Sequence, residues 1–577
     1  MVRVPTGSRL VVLPGTVVEF APRDTNGDGI GESGILVQGT IVAKGTPASP
    51  ITFRADARGR RGGWDAVNIM NSSGAWNLVE HCRLEDAYRG LHFHFSRVAV
   101  TNSHFVNCYR GIQFQEATVL IRDNRFSGNK SAVQGRDSQV EFAGNLVRGN
   151  YHGINLLRAR LRASGNSFVG NGREGVRIRE GSTVFEGNLV EGNRYGLLVM
   201  DAFFGSFLRN SISGNGELGF SLKNTDNMEI AGNFISGNGL NGLNLQETRG
   251  RISGNLIGDN GERGIAVLSF AGTLEENNLA GNGLWSIDLD GGSDVSAPRN
   301  WWGGKDPAET ISDKRRDPAK GSVRHDEAAS SPFPFRWPFA EVRSDVTWRG
   351  DVVLEGATRV VHGAGLRIAP GSRLLFGPGA GLEVAGRIEA LGEPKRRIVF
   401  TSAGKKEPGA WGELLLEHAD GSSFKDCVFE YATWGVHSHF TRLAVEDSLF
   451  SRNEGGMRFR SGPVRIDGCE FRQNDIGIRS FRGNAAVSAN VIAGNRVGVF
   501  VREKGSGLQL RRNMLFSNSE YNLRVGDFND EDVDARENWW GTISPQETIF
   551  DGRNEPGIGI VRFQPFLKEP PRREVAR

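Results

Sequence analysis

His437 and His439 stand two residues apart, as do His92 and His94, and in an extended segment each pair projects two imidazoles from one face, about 6 to 7 Å apart. Imidazoles so spaced could seed a copper or zinc site, with His81 and His104 on neighbouring segments beside the first pair. A second group, Asp24-Thr-Asn26-Gly-Asp28-Gly-Ile30-Gly-Glu32, puts side-chain oxygens at positions 1, 3, 5 and 9 of a calcium loop, with the Ile30 carbonyl at 7 and a glycine at 6. Against this, position 12 is Ile35 rather than a bidentate glutamate; the calcium expected here has a structural role, and the alternative is a polar turn whose Asx side chains bond their own backbone. A third group is basic. Arg458, Arg460, Arg479, Arg502 and Arg524, interspersed with Phe481 and Phe500, follow His437 and His439 at intervals of 21 to 24 residues. Guanidinium groups grip carboxylates or sulfates and aromatic faces stack on sugar rings, so the set suits an anionic polysaccharide or cell-envelope glycan. The alternative is a solvated face whose arginines pair with nearby Asp and Glu.

A repeat is what would hold such groups on one surface. The pattern Asn-x-(apolar)-x-x-Asn occurs eight times, from Asn124/Phe126/Asn129 to Asn277/Leu279/Asn282, every 21 to 23 residues. The apolar column begins at Leu84 and Phe105 and returns as Phe429, Phe450, Phe471, Ile492 and Leu515, giving fifteen rungs. A unit this short cannot bury its apolar face alone and must stack on its neighbours. Between rungs there are only short alternating runs, such as 111–115 and 175–179, and no long stretch of helical spacing. A rung of this length fits three strands and three corners, with coils stacked at about 4.8 Å. The expected fold is therefore an all-β, right-handed parallel β-helix, the hand following from the bias of parallel β connections. Apolar residues stack inside it, and the corner asparagines take the left-handed backbone and form amide ladders.

On that scaffold, one outward column of the first copy reads His92, Gln113, Gln134, Asn155, Arg177, and its neighbour His94, Gln115, Arg136, Leu157, Arg179. In the second copy the columns read His437, Arg458, Arg479, Phe500, Arg524 and His439, Arg460, Phe481, Arg502, with no carboxylate among them. A flat sheet lacks an element that enters a nucleic-acid groove, so sequence-specific nucleic-acid binding is not expected.

The chain is duplicated as well as repeated. Leu10-Val-Val-Leu-Pro-Gly15 matches Leu366-Arg-Ile-Ala-Pro-Gly371, Gly63-Trp64 matches Ala410-Trp411, and Asn300-Trp-Trp-Gly303 matches Asn538-Trp-Trp-Gly541. The copies are assigned to residues 1–335 and 336–577, joined by the proline-rich stretch 330–338. The paired tryptophans read as caps over the apolar end of each stack, with a sugar platform as the alternative. Residues 344–354 have no counterpart before Val2, so an upstream strand and an export signal are expected beyond this start. A net charge of +3 against 70 basic and 67 acidic residues confines any charge argument to local faces. Cys82, Cys108, Cys427 and Cys469 are too few for a disulfide scaffold and are expected as buried thiols. No run of about 18 apolar residues offers a membrane span.

The Gly-Asn-x-(apolar)-x-Gly-Asn repeats, the (apolar)-x-Pro-Gly openings, the Gly-Trp at 63–64 and the Asn-Trp-Trp-Gly endings together resemble the right-handed parallel β-helix repeat family of the pectin-lyase-like superfamily, including NosD-related repeat proteins. The resemblance spans nearly the whole chain. It implies a protein exported to the periplasm, cell surface or medium, on a scaffold that elsewhere carries lyases, hydrolases, epimerases, adhesins and binding proteins. The alginate-epimerase signature Asp-Pro-His-Asp is absent, and no aspartate-and-base constellation of a pectate lyase or polygalacturonase is recognisable. The leading expectation is a non-enzymatic binding or structural module for anionic polysaccharide, ahead of a carbohydrate-active enzyme and of a NosD-like metal-handling protein.

Overall fold

The structure, a computed structural model, describes residues 1–56, 59–72, 74–526 and 528–571. It is an all-β parallel solenoid of about 22 turns, in two compact units, Met1–Phe333 and Pro334–Arg577.

One coil of the first unit runs through strands Arg110–Gln115, Thr118–Arg122 and Arg125–Ser127; the next repeats them as Ser131–Arg136, Gln139–Ala143 and Leu146–Arg148. Each strand pairs in parallel with its equivalent one coil on, Gln113 opposite Gln134 and Phe126 opposite Val147. Three faces result. The third is a sheet of 12 strands in this unit; the first two count as one sheet of 26, because Leu218–Ala231 and Asn241–Ser253 run unbroken through the corner between them. In the second unit the faces are separate sheets of 9, 10 and 10 strands.

Alternation decides what is inside: Ile112 and Phe114 are buried while Gln113 and Gln115 between and beyond them are half-exposed. Like stacks on like, with Phe105 on Phe126 at 4.9 Å between ring centres and Phe400, Phe429, Phe450 and Phe471 in an unbroken pile at 4.6 to 4.7 Å. Each fully buried ring contributes about 1.5 to 3 kcal/mol over leaving it in water. Trp64 on Phe20 and Trp411 on Phe376 stack alike in the two interiors, at 4.3 and 4.1 Å between ring centres.

The amide ladders are present. Asn124 Nδ2 donates to Asn145 Oδ1 at 3.0 Å, and the bond recurs at 2.9 to 3.1 Å through Asn166, Asn188, Asn210, Asn233, Asn255 and Asn277 to Asn300. A second ladder climbs from Asn129 to Asn282. The expected left-handed backbone falls elsewhere: it belongs to the residue before each ladder asparagine, as at Gly144 (φ 65°) and Gly149 (φ 64°), and not to Asn145 or Asn150. Glycine most often takes that step, but Asp123, Arg209, Glu276 and Arg299 hold the same left-handed backbone at φ of 52 to 58°, and in every case the asparagine after it is left free to point inward. The earliest coils of each unit lack the ladder motif because longer loops make their corners, so fifteen rungs were legible where about 22 turns exist.

Asn300, the first residue of the Asn-Trp-Trp-Gly motif, is the last ladder rung, and Asn538 closes the second unit's ladder in the same way. Trp302 and Trp540 are buried behind them, which withdraws these rings from any sugar. A further shared device was not read from the sequence. Buried Asp313 holds Arg315 and accepts from the Val323 N–H, as Asp551 holds Arg553 and accepts from the Val561 N–H.

Candidate functional site

The basic face of the second unit is built on strands Ala432–His439, Gly455–Arg460, Ile476–Phe481, Val497–Glu503 and Tyr521–Val525. Buried Val436, Met457, Ile478, Val499 and Leu523 anchor them, so the residues between point outward. His437, Arg458, Arg479, Phe500 and Arg524 pair in one column as the spacing implies. The second column departs from the reading at its end. His439, Arg460 and Phe481 pair in turn, but a bulge puts Glu503 opposite Phe481 and leaves Arg502 as the extra residue. A one-residue slip thus places a carboxylate in a column expected to have none. The Arg502 guanidinium still returns to the site, 5.8 Å from the Phe481 ring centre and 5.5 Å from that of Phe528.

The five arginines divide by partner. Arg458 pairs with Glu413 at 3.0 Å and Arg524 with Glu520 at 3.1 Å. Arg460, Arg479 and Arg502 have no carboxylate partner among the described residues; they lie against rings, Arg460 at 4.9 Å from Phe481 and Arg479 at 5.3 Å from Phe500. Burial, together with the charges of Arg502 and Arg458, pulls the Arg479 guanidinium below its ordinary value, the mark of positive charge held close without an anion. A cleft of about 180 Å³ opens among His437, His439, Arg458, Arg460, Arg479, Phe481 and Arg502. Guanidinium forks beside aromatic faces can take a carboxylate or sulfate in two parallel hydrogen bonds while a sugar ring rests on the phenylalanine.

At one end of the cleft the two imidazoles face each other. His437 Nε2 lies 2.7 Å from His439 Nε2, and its Nδ1 lies 3.0 Å from Glu413 Oε1. Burial opposes ionisation of Glu413, but its contacts with His437 and Arg458 prevail and lower its pKa. In the first unit His92 and His94 meet likewise at 2.9 Å, with Asn68 in place of the carboxylate, 2.7 Å from His92 Nδ1. Burial, aided by Arg89 and His94, lowers the His92 pKa to about 3. In both units the ring nitrogens that would meet a metal are thus bonded to each other. His104 lies on the third face, where it contacts Ser127, so it does not join the first pair. Among the described residues no group of three or more His, Cys, Asp or Glu converges as a metal site.

The profile of the right handed beta helix region matches residues 58–182, 152–301 and 412–538. The chain belongs to that family. No curated protein matches it. Among solved structures, a mutant of the PL6 family alginate lyase AlyGC is 11% identical, over 97% of this chain and 96% of that one, with a TM-score of 0.22; the unmutated enzyme is 12% identical, over 98% of each, with a TM-score of 0.19. Likeness at this level leaves the chemistry of this β-helix to its own residues.

In the β-helix the loop at 24–32 closes on itself. Both carboxylate oxygens of Asp24 accept backbone N–H groups, from Gly27 at 2.7 Å and Gly29 at 2.9 Å; Asn26 accepts from Asp28 and Asp28 from Ile30, and Glu32 accepts from the Thr25 hydroxyl. The side-chain oxygens expected on calcium thus also serve as turn acceptors. The four cysteines are buried free thiols, with Cys82, Cys108 and Cys469 pushed up to about 12 by burial. Glu413 is the site residue that sequence reading missed. It stands 24 residues before His437, within the repeat interval, but a register shift between Glu413 and Leu415 sets Leu415 opposite His437 and moves the glutamate out of the column.

Proposed function

We propose that this β-helix is an exported, non-enzymatic module that binds anionic polysaccharide on the arginine and phenylalanine face of its second unit. The observation that carries the reading is the trio Arg460, Arg479 and Arg502, held half-buried against rings with no carboxylate partner among the described residues. Gathering like charges is unfavourable unless an anion completes the set, and carboxylate or sulfate matches the guanidinium fork. Titrating the protein with uronate and sulfated polymers, and with a neutral glucan as control, tests it: binding to the charged polymers that weakens with salt is expected, and equal binding to the neutral glucan would sink the reading. Export rests on the family resemblance; tracing the protein in fractionated cells tests it separately.

An enzymatic reading is favoured by one observation, the chain Glu413, His437, His439 leading to the cleft. Such a chain can hold or pass a proton. Its histidine half recurs in the first unit beside Asn68, with Gln113 and Gln115 on the next coil in place of Arg458 and Arg460, which suits a feature of the ancestral module better than a catalytic device. Release of unsaturated or reducing ends from charged polysaccharide would favour the enzyme.

A further inference from the structure

The three arginines without carboxylate partners sit one to a coil. Arg460 lies on the coil of Gly455–Arg460, Arg479 on that of Ile476–Phe481 and Arg502 on that of Val497–Glu503, three consecutive strands of one sheet. Consecutive coils are about 4.8 Å apart. The row also alternates: Arg479 belongs to the column of His437, while Arg460 belongs to the column of His439, with Arg502 folding back onto Phe481 in that same column. The two columns are two residues, about 7 Å, apart along the strand. Paired arginines bound the row: Arg458, on the same strand as Arg460, is held by Glu413, and Arg524, on the coil after Arg502, is held by Glu520. Phe481 and Phe500 fill the alternate places, each under a guanidinium of the neighbouring coil.

This pattern describes its ligand. An extended chain of six-membered sugar rings advances by nearly one coil spacing per ring. When the linkages are diequatorial the chain is a flat ribbon in which each ring is turned over relative to the last, so that its carboxylates project to alternate sides. Diaxial linkages buckle the chain, and in α-1,4-linked galacturonate it winds, so that successive carboxylates leave the plane of a flat strip. Resting on the binding reading above, we propose that the face takes a linear, ribbon-like polyuronate along the stacking direction, three successive rings each giving one carboxylate to Arg460, Arg479 and Arg502 in turn.

Calorimetry on the intact protein with β-1,4-linked glucuronate oligomers of one to five rings, beside oligogalacturonates of the same lengths, tests this without any variant. Affinity is expected to climb by about tenfold with each ring up to the trimer, the worth of one charge-assisted contact, and then to level off. The ribbon trimer is expected to bind at least about tenfold more tightly than the galacturonate trimer of equal charge. Affinity indifferent to linkage, or rising steadily beyond three rings, would overturn the register while leaving polyanion binding intact. Absence of binding to every charged oligomer and polymer would overturn both.

Discussion

In the first unit the columns above His92 and His94 continue through Gln113, Gln134 and Gln115; in the second, those above His437 and His439 continue through Arg458, Arg479 and Arg460. Beneath these faces the two units are alike, from Trp64 and Trp411 on their phenylalanines to the ladders ending at Asn300 and Asn538. The interior is thus what duplication preserved and the outward face is where the copies parted. Features present in both, such as the bonded histidine pair and the buried cap tryptophans, belong to the module. Features present in one, the arginines stacked on Phe481 and Phe500 directly above the histidines and the loop at 24–32, are where separate function is to be sought.

The comparison can be broken most forcefully in the interior. Phe126→Ala and Phe471→Ala, which empty equivalent positions of the two stacks, should each cost about 3 to 5 kcal/mol. Denaturant unfolding followed for each unit would show it, and a large cost in one with none in the other would end the claim of a common interior. On the faces the copies should differ. Arg479→Ala is expected to weaken charged-polysaccharide binding by about 10- to 100-fold, the loss of a charge-assisted contact of about 1.5 to 3 kcal/mol. Gln134→Ala, its counterpart above His92, should change nothing, and equal losses from both would erase the distinction.

Acid should act on the first histidine pair. His92 has its folded pKa lowered to about 3, against about 6.5 in an unfolded chain. Below that upper value the unfolded chain binds a proton that the folded chain refuses, so this contribution is fully present above pH 6.5 and declines as pH falls toward 3, by about 1.4 kcal/mol per pH unit. His92→Gln should flatten that part of the stability curve of the first unit; an unchanged slope would place the acid sensitivity elsewhere. The smallest effect concerns the acidic loop, absent from the second unit. Calcium is expected to raise the melting temperature of the first unit by a few degrees and to leave Asp28→Ala unmoved, whereas identical curves with calcium and with chelator would leave the loop as a hydrogen-bonded turn.

Most of the fold was legible because a solenoid repeats one local problem. Phe126, Phe168 and Phe471 recur at an interval that only stacking explains, and Asn145 and its equivalents form the expected ladder. The left-handed corner was misplaced by one residue, since in most copies a glycine and an asparagine are adjacent, as Gly144 and Asn145 are, and sequence does not say which of them bends. The basic face was legible for the same periodic reason, and its first column is exact in register. It failed at Arg502 and at Glu413, where a single extra residue in a strand shifts a side chain out of the counted column.

Sequence by itself determined the coil length, the parallel stack, the duplication and the outward placement of His437, Arg458, Arg479 and Arg460, because all of these follow from periodicity along the chain. Only the tertiary structure decided which arginines are paired, that the two imidazoles bond each other rather than standing open, and that Trp302 and Trp540 are sealed inside. Those outcomes depend on contacts between side chains a coil or more apart, over ångström distances that bulges and corner loops alter and that a repeat interval does not encode.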